Sequence, residues 1–269
     1  MSVNLRRKMA VAGLLALGAV SACKGAPLVL PADAAGTELF QQAQGLMEDE
    51  KWSKAADGFD TLLRNYPTSP HLPQARLALG RAYYEQDSTS SLILAVDAFR
   101  NFLTYHPSHG QVDYAQLMIA MSYMSMMRSP DRDQSQAVES LREFEIFFED
   151  YPESLYGEDA RAQMQVVVDN LSEHELKVAE FQLGRGRYSA ARERAHYALR
   201  KYAATSHGCE FVWIVGETHR RQGDSRQATI FFQQVVDDYP DCERATEVRE
   251  NLRQGGATQP SQEGALGFL

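Results

Sequence analysis

The sequence predicts an all-α chain: a solenoid of about five antiparallel helix pairs. Three observations predict it. The pattern small-x3-Phe-x7-Pro recurs at Ala55, Phe59 and Pro67, at Ala95, Phe99 and Pro107, and at Ala228, Phe232 and Pro240. It recurs with serine in first place at Ser140, Phe144 and Pro152, and in degenerate form at Ala191, Ala195 and Ala203. Each copy has a small residue upstream, at Ala43, Gly80, Ala120, Ala179 and Gly216. Each also carries an aromatic ring or histidine just before its last position, at Tyr66, His106, Tyr151, Tyr202 and Tyr239. Small residues let two helices cross closely, the phenylalanine fills the gap beside them, and proline, which lacks an amide N–H, ends the second helix. One such pair cannot bury its own apolar face, so the pairs must stack.

Residues 212–240, VWIVGETHRRQGDSRQATIFFQQVVDDYP, are the clearest copy. Gly216 precedes Ala228 by twelve positions, Phe232 follows four later and Pro240 eight after that, with Gly223-Asp224 between the two helical runs. This spacing resembles the tetratricopeptide (TPR) unit, and the resemblance implies a right-handed superhelix. A bundle of unrelated amphipathic helices would not keep the proline in phase in four of five copies.

The N-terminus reads as targeting information. Arg6, Arg7 and Lys8 precede an apolar run at residues 9–20 that is short for a membrane span. Val20-Ser21-Ala22-Cys23 follows, which resembles the lipobox of bacterial lipoproteins; an ordinary cleaved signal peptide is the alternative. On the lipobox reading residues 1–22 are a signal peptide, and residues 23–35 are a lipidated Cys23 and a tether containing Pro27 and Pro31. Cleavage there removes three positive charges and no acids, taking the net charge from −9 to −12. Lys24 is not the aspartate that holds lipoproteins at the inner membrane. The resemblance therefore implies a lipid anchor on the periplasmic face of the outer membrane, stable because several acyl chains share it. A chain this acidic, with no basic stripe interleaved with aromatics, is a poor candidate for nucleic acid.

The solenoid is expected over residues 36–254, as N-terminal repeats 36–152 and C-terminal repeats 153–254. The first unit covers about residues 36–69, split near Glu50-Lys51, with Trp52 opening its second helix. Pro73 suits a first helical turn. In the second unit Gly80 and Ala95 lie fifteen positions apart instead of twelve, which points to an enlarged turn near residues 87–91. In the third, Ala120 and Ser140 lie twenty apart, so residues 128–133 are expected to protrude as a loop. A long helix over 157–171, leading on through 173–183, opens the fourth unit, with Gly184-Arg185-Gly186-Arg187 as its turn. Cys209 and Cys242 lie near the two ends of the fifth unit, which antiparallel helices bring together. A disulfide and two buried thiols are both open. Residues 255–269 are rich in Gly, Gln, Ser and Pro and read as a disordered tail.

No constellation supports an enzyme, a cofactor or a metal. His106 and His109 lack further ligands, and His174-Glu175 lacks the second histidine of H-E-x-x-H. The G-x-G of the fourth turn follows a helix instead of a strand. The acid pairs Glu149-Asp150 and Asp237-Asp238 sit at helix C-termini, where the dipole disfavours them and solvent exposure is expected. Surface is what remains. In TPR proteins the first helix of each unit lines the concave face. By that resemblance Phe40, Gln44 and Met47, then Leu77, Arg81 and Tyr84, then Tyr114, Leu117, Met121 and Met124 line an aromatic, methionine-rich groove. That these residues are core instead is the competing reading.

Several joints are more specific than the repeat. They are Pro107-Ser108-His109 leading to Asp113-Tyr114; Asp131-Arg132-Asp133-Gln134 before Ala137; and Tyr151-Pro152-Glu153-Ser154-Leu155-Tyr156 with Asp159-Ala160. Glu175-x2-Val178-Ala179-Glu180-Phe181 follows, then Arg185-Gly186-Arg187-Tyr188 with Ala190-Ala191-x2-Arg194. With the lipobox they resemble the BamD family, lipoproteins of the outer-membrane β-barrel assembly machinery, over residues 36–252. Ala203 departs from the proline of the fourth joint, which puts that helix end in doubt. The resemblance implies a scaffold and substrate receptor for folding and insertion of outer-membrane proteins. Its N-terminal repeats would take the aromatic-ended C-terminal signal of unfolded outer-membrane proteins in the groove of Phe40, Leu77, Arg81, Tyr84, Tyr114, Leu117, Met121 and Met124. Its C-terminal repeats would dock the last periplasmic domain of a BamA-like β-barrel protein through Arg185, Arg187 and Arg194, and other assembly lipoproteins would attach. The alternative is a periplasmic TPR adaptor lipoprotein of a Tol-Pal or pilus/secretin system. A Tol-Pal coordinator usually carries an N-terminal coiled coil, and residues 24–35 offer no heptads.

Overall fold

A computed structural model describes residues 34–253 apart from residue 204. The signal peptide, Cys23, most of the tether and the tail at 255–269 lie outside the described residues. The described residues form eleven helices: α1 Ala34–Glu48, α2 Trp52–Asn65, α3 Leu72–Glu85, α4 Thr89–Tyr105, α5 Val112–Ser125, α6 Ser135–Asp150, α7 Gly157–Gly184, α8 Tyr188–Lys201, α9 Gly208–Arg221, α10 Ser225–Asp238 and α11 Glu243–Arg253. Each odd-numbered helix from α1 to α9 pairs with the next, and α11 packs on α10 and α9. Among the described residues no helix is long and apolar enough to cross a membrane.

The repeat signature is the packing. Phe59, Phe99 and Phe144 are fully buried, as are Ala55, Ala95 and Ser140 one turn earlier. Burying a phenylalanine contributes about 1.5–3 kcal/mol relative to leaving it exposed. The small upstream residues make room for these rings. A Cβ built on Gly80 would lie 2.7 Å from the Phe99 ring, and one on Gly216 would lie 2.8 Å from Phe232. Ser140 keeps its place because its hydroxyl donates to the Ala120 carbonyl at 2.9 Å, so the buried oxygen is satisfied.

The joints share one conformation. Tyr66, His106, Tyr151, Tyr202 and Tyr239 follow their helices with φ between −122° and −135° and ψ between 52° and 64°. A following proline disfavours the helical region at these positions. Tyr202 reaches the same geometry with Ala203 behind it; its ring is buried and its amide closes on Ala198. α8 therefore ends in register without the proline.

One expectation about insertions is corrected. The three extra residues of the second unit do not enlarge the turn. They lengthen α4 to 17 residues against 14 in α2, which adds close to one turn and preserves the buried face. Ser88 starts this longer helix: its hydroxyl accepts from the Ser91 amide at 3.1 Å, and the Ser91 hydroxyl accepts from the Ser88 amide at 3.0 Å. The loop at 128–133 forms where expected, mostly exposed, and is braced by α7. Asn170 donates to the Arg128 carbonyl at 3.1 Å and His174 Nδ1 lies 2.7 Å from the Pro130 carbonyl, so α7 holds the loop. Gln134 braces it from within, donating to the carbonyls of Ser129 and Arg132. The 28-residue α7 is continuous through 157–184 and packs on both α6 and α8.

Candidate functional site

The expected groove divides in two. Phe40, Leu77 and Leu117 are buried at 6%, 8% and 4% exposure, and this corrects their assignment to an open surface. Phe40 stacks on His71 at 4.5 Å and tilts against Phe59 at 5.9 Å. Leu77 packs with Phe99 and Phe102, and Leu117 with Phe144 and Phe147. These positions pack between the helices of the stack instead: Phe40 of α1 against α2 and the joint before α3, Leu77 of α3 with α4, and Leu117 of α5 with α6.

The other five residues remain at the surface. Arg81 is exposed, while Tyr84, Tyr114, Met121 and Met124 are half-buried. Tyr114 stands edge-on to Phe99 at 6.4 Å and tilts against Tyr156 at 5.7 Å. Burial pushes its phenol up to about 12, against the lowering effect of Arg81 nearby. The Ser125 hydroxyl donates to the Tyr84 hydroxyl at 3.4 Å, tying α3 to α5. Met121 and Met124 lean on the core shared by the third and fourth units, with Met127 from the clamped loop. Tyr156 joins this surface although groove spacing alone did not select it. Its signal in the sequence was the Tyr-Pro-x-Ser-x-Tyr joint, whose Ser154 donates to Asp113 Oδ2 at 2.7 Å and draws the joint onto the start of α5. The result is a patch of phenol rings, thioethers and one guanidinium spanning the second to fourth units, suited to an apolar ligand with an anionic end.

A buried polar bridge that the sequence did not reveal ties the second and third units. Glu143 of α6, 4% exposed, accepts from Arg100 of α4 at 2.8 Å, from Gln116 of α5 at 2.8 Å and from Arg142 at 3.1 Å. A buried carboxylate held by three donors fixes the registry of α4, α5 and α6, of which α5 carries Tyr114, Met121 and Met124.

In the C-terminal repeats Arg194 is not a free charge. Its guanidinium lies 3.0 Å from the nearly buried Glu175 of α7 and remains 50% exposed itself. Arg185 sits over the ring of Phe181 at 5.2 Å, and Phe181 is 57% exposed. Arg187 is exposed at the N-terminal boundary of α8. Cys209 and Cys242 are joined in a disulfide with a Cα separation of 6.6 Å, tying the start of α9 to the turn before α11.

Stacked antiparallel helix pairs that share buried cores define a helical-repeat protein. The chain belongs to the YfiO family of outer membrane lipoproteins, whose family model matches residues 32–229. Relatives named outer membrane protein assembly factor BamD include one from Neisseria meningitidis serogroup B, 29% identical over 71% of this chain and 74% of its own length. The Vibrio cholerae relative is 27% identical over 79% of this chain and 91% of its own. That of Rickettsia prowazekii is 26% identical over 75% and 79%. Among solved structures, the TPR2AB domain complex of yeast Sti1 aligns over 82% of this chain and 84% of its own at a TM-score of 0.41 and 6% identity.

Proposed function

We propose that the chain is the lipoprotein subunit of an outer-membrane β-barrel assembly complex, acting as scaffold and as receptor for unfolded outer-membrane proteins. Its similarity to proteins named BamD, together with the family match over residues 32–229, carries the reading. Cys23 anchors the chain by lipid to the periplasmic face of the outer membrane. The patch of Arg81, Tyr84, Tyr114, Met121 and Met124 takes the aromatic C-terminal signal of substrates: rings and thioethers hold its apolar side chains, and Arg81 faces its carboxylate. The C-terminal repeats, with Arg185, Arg187 and Arg194, dock a periplasmic domain of a BamA-like barrel subunit, and other assembly lipoproteins attach to the same scaffold.

Depletion of the chain in its own organism tests the reading. Folded barrel proteins in the outer membrane are expected to fall while their unfolded forms accumulate in the periplasm. Unchanged barrel levels after full depletion would overturn it. Cys23→Ser is expected to release the protein into the soluble periplasmic fraction, and continued membrane fractionation at high salt would count against the anchor.

A further inference from the structure

We infer that a narrow cleft between the first and second units, where Arg76 meets Arg64 and Asn101, binds a glutamate or aspartate side chain carried on an extended segment of a partner protein. The cleft lies in other units than the arginines of the fourth, and the inference does not depend on the barrel-assembly reading. It is also separate from the patch of Arg81 and Tyr84. Arg76 and Leu79 share one side of α3, and Arg81 and Tyr84 share another, about 140° round the helix.

The cleft has a volume of about 240 Å³. α2 supplies Leu63 and Arg64, α3 supplies Arg76 and Leu79, and α4 supplies Ala98 and Asn101. Leu79 and Ala98 are buried and make an apolar floor, while Arg64 and Asn101 are exposed at the rim. Several surface arginines lack an ion pair; Arg76 differs from them in being buried without an acceptor. Its Nε is buried with no hydrogen-bond partner, and among the described residues no other lysine or arginine nitrogen is in that state. Burying a charged donor without an acceptor is costly, and a nearby anion offsets that cost. The guanidinium is already positioned, since it lies over the Tyr105 ring at 4.2 Å. Nε2 of His106 is also buried without a partner. Burial, and then the Arg76 charge, hold His106 below the usual histidine value, so the field at this end of the cleft is positive. The one acid lining the cleft, Asp60, is engaged by Arg64 at 2.8 Å.

Carboxylates and phosphates both suit a guanidinium fork. Three features favour a carboxylate on an aliphatic stem. The cleft is smaller than the roughly 300–1,000 Å³ of small-molecule pockets, and suits a single side chain. Leu63, Leu79 and Ala98 give the methylenes of that side chain an apolar floor. Asp60 in the wall repels a dianionic phosphate more than a single carboxylate. The rest of the segment has a surface to lie on. Tyr105 is 62% exposed beside Arg76, and Asn101 presents an amide, so a ring and a polar group flank the opening.

The test is an NMR titration of the full-length chain, purified in detergent, that reads the side-chain signals of Arg76, Leu79 and Asn101. The probes are the blocked peptide acetyl-Ser-Leu-Glu-Leu-Ser-amide, its counterpart with Gln in place of Glu, and inorganic phosphate. Saturating shifts at all three residues with the Glu peptide, and at least about tenfold weaker binding of the Gln peptide, are expected. Arg76→Gln should abolish the preference for the Glu peptide, read at Leu79 and Asn101. Arg76→Lys keeps the charge and the stem without the fork, and should bind the Glu peptide several-fold more weakly than the unaltered chain. Circular dichroism melts check that both variants are folded. No shift with Glu peptide up to roughly 10 mM would overturn the inference, as would equal binding of the two peptides or Glu-peptide binding unchanged in both variants. Phosphate binding as tight as that of the Glu peptide would show a general anion site and overturn the peptide assignment. None of these outcomes bears on retention of a barrel subunit, so either reading can fail alone.

Discussion

Arg194 and Glu217 show how this acidic chain places its buried charge. Arg194 neutralises Glu175, so its first duty is to keep a carboxylate in the α7–α8 interface, and any partner contact uses a guanidinium already positioned by that pair. Glu217 is the stronger case. Burial raises its carboxyl, but hydrogen bonds from Arg220 and Arg221 outweigh burial and hold it below the usual carboxylate value. A carboxyl depressed in the folded state stabilises above its unfolded pKa, about 4.3, and that stability is lost as pH falls through the folded value. Thermal melts between pH 7 and pH 3 are therefore expected to show a decline beginning near the unfolded value. Glu217→Gln should lower stability at pH 7 and flatten part of that acid limb. An acid limb identical in variant and parent would show that Glu217 is not a contributor.

At the scale of elements, the glycine–phenylalanine crossings set how closely α3 meets α4 and α9 meets α10. Gly80→Ala and Gly216→Ala each force a methyl into a ring at 2.7–2.8 Å. Overpacking of this kind costs about 1–3 kcal/mol. Chemical denaturation should report losses of that size at both sites, and a neutral Gly80→Ala would mean that Phe99 has room to move. These crossings were legible in the sequence because the ring and the small residue recur at fixed spacing. The destination of inserted residues was not. Spacing counted three extra residues between Gly80 and Ala95, but only the structure shows them as an added helical turn opened by Ser88. The groove was half legible for a related reason. A helical period marks Phe40, Leu77 and Leu117 as apolar and inward, but cannot say whether inward means the concave surface or the packing between neighbouring helices. The bridge at Glu143 left no trace, since an acid in an exposed-looking run reads as surface until Arg100 and Gln116 are seen beside it.

Across the whole molecule, stacked units share cores instead of having one each: Leu117 of the third unit and Ile214 of the fifth belong to the same buried cluster. Such a chain is weakest at its ends, where a unit has a neighbour on one side only. At the C-terminal end α11 covers part of the exposed flank, Arg244 lies over Trp213 at 4.0 Å, and the disulfide closes 33 residues of chain around the fifth unit. A cross-link of that span stabilises by about 2–4 kcal/mol. Cys242→Ser is expected to lower the melting temperature and to open α10 and α11 first to hydrogen exchange, with the first three units unchanged; uniform protection along the chain would contradict this polarity. The order along the solenoid also separates the tasks. On the proposed reading the substrate patch of Arg81, Tyr84, Tyr114, Met121 and Met124, in the second and third units, and the partner contact of Arg185, Arg187 and Arg194, in the fourth, occupy different stretches of the solenoid.

Affinity capture of the chain from detergent-extracted native membranes, with identification of whatever is retained, tests the central proposal most directly. Retention of a large β-barrel protein bearing periplasmic domains, together with further lipoproteins, is expected. Retention of a secretin or of Tol-Pal components, with no barrel assembly subunit, would contradict the proposal while leaving the repeat architecture in place.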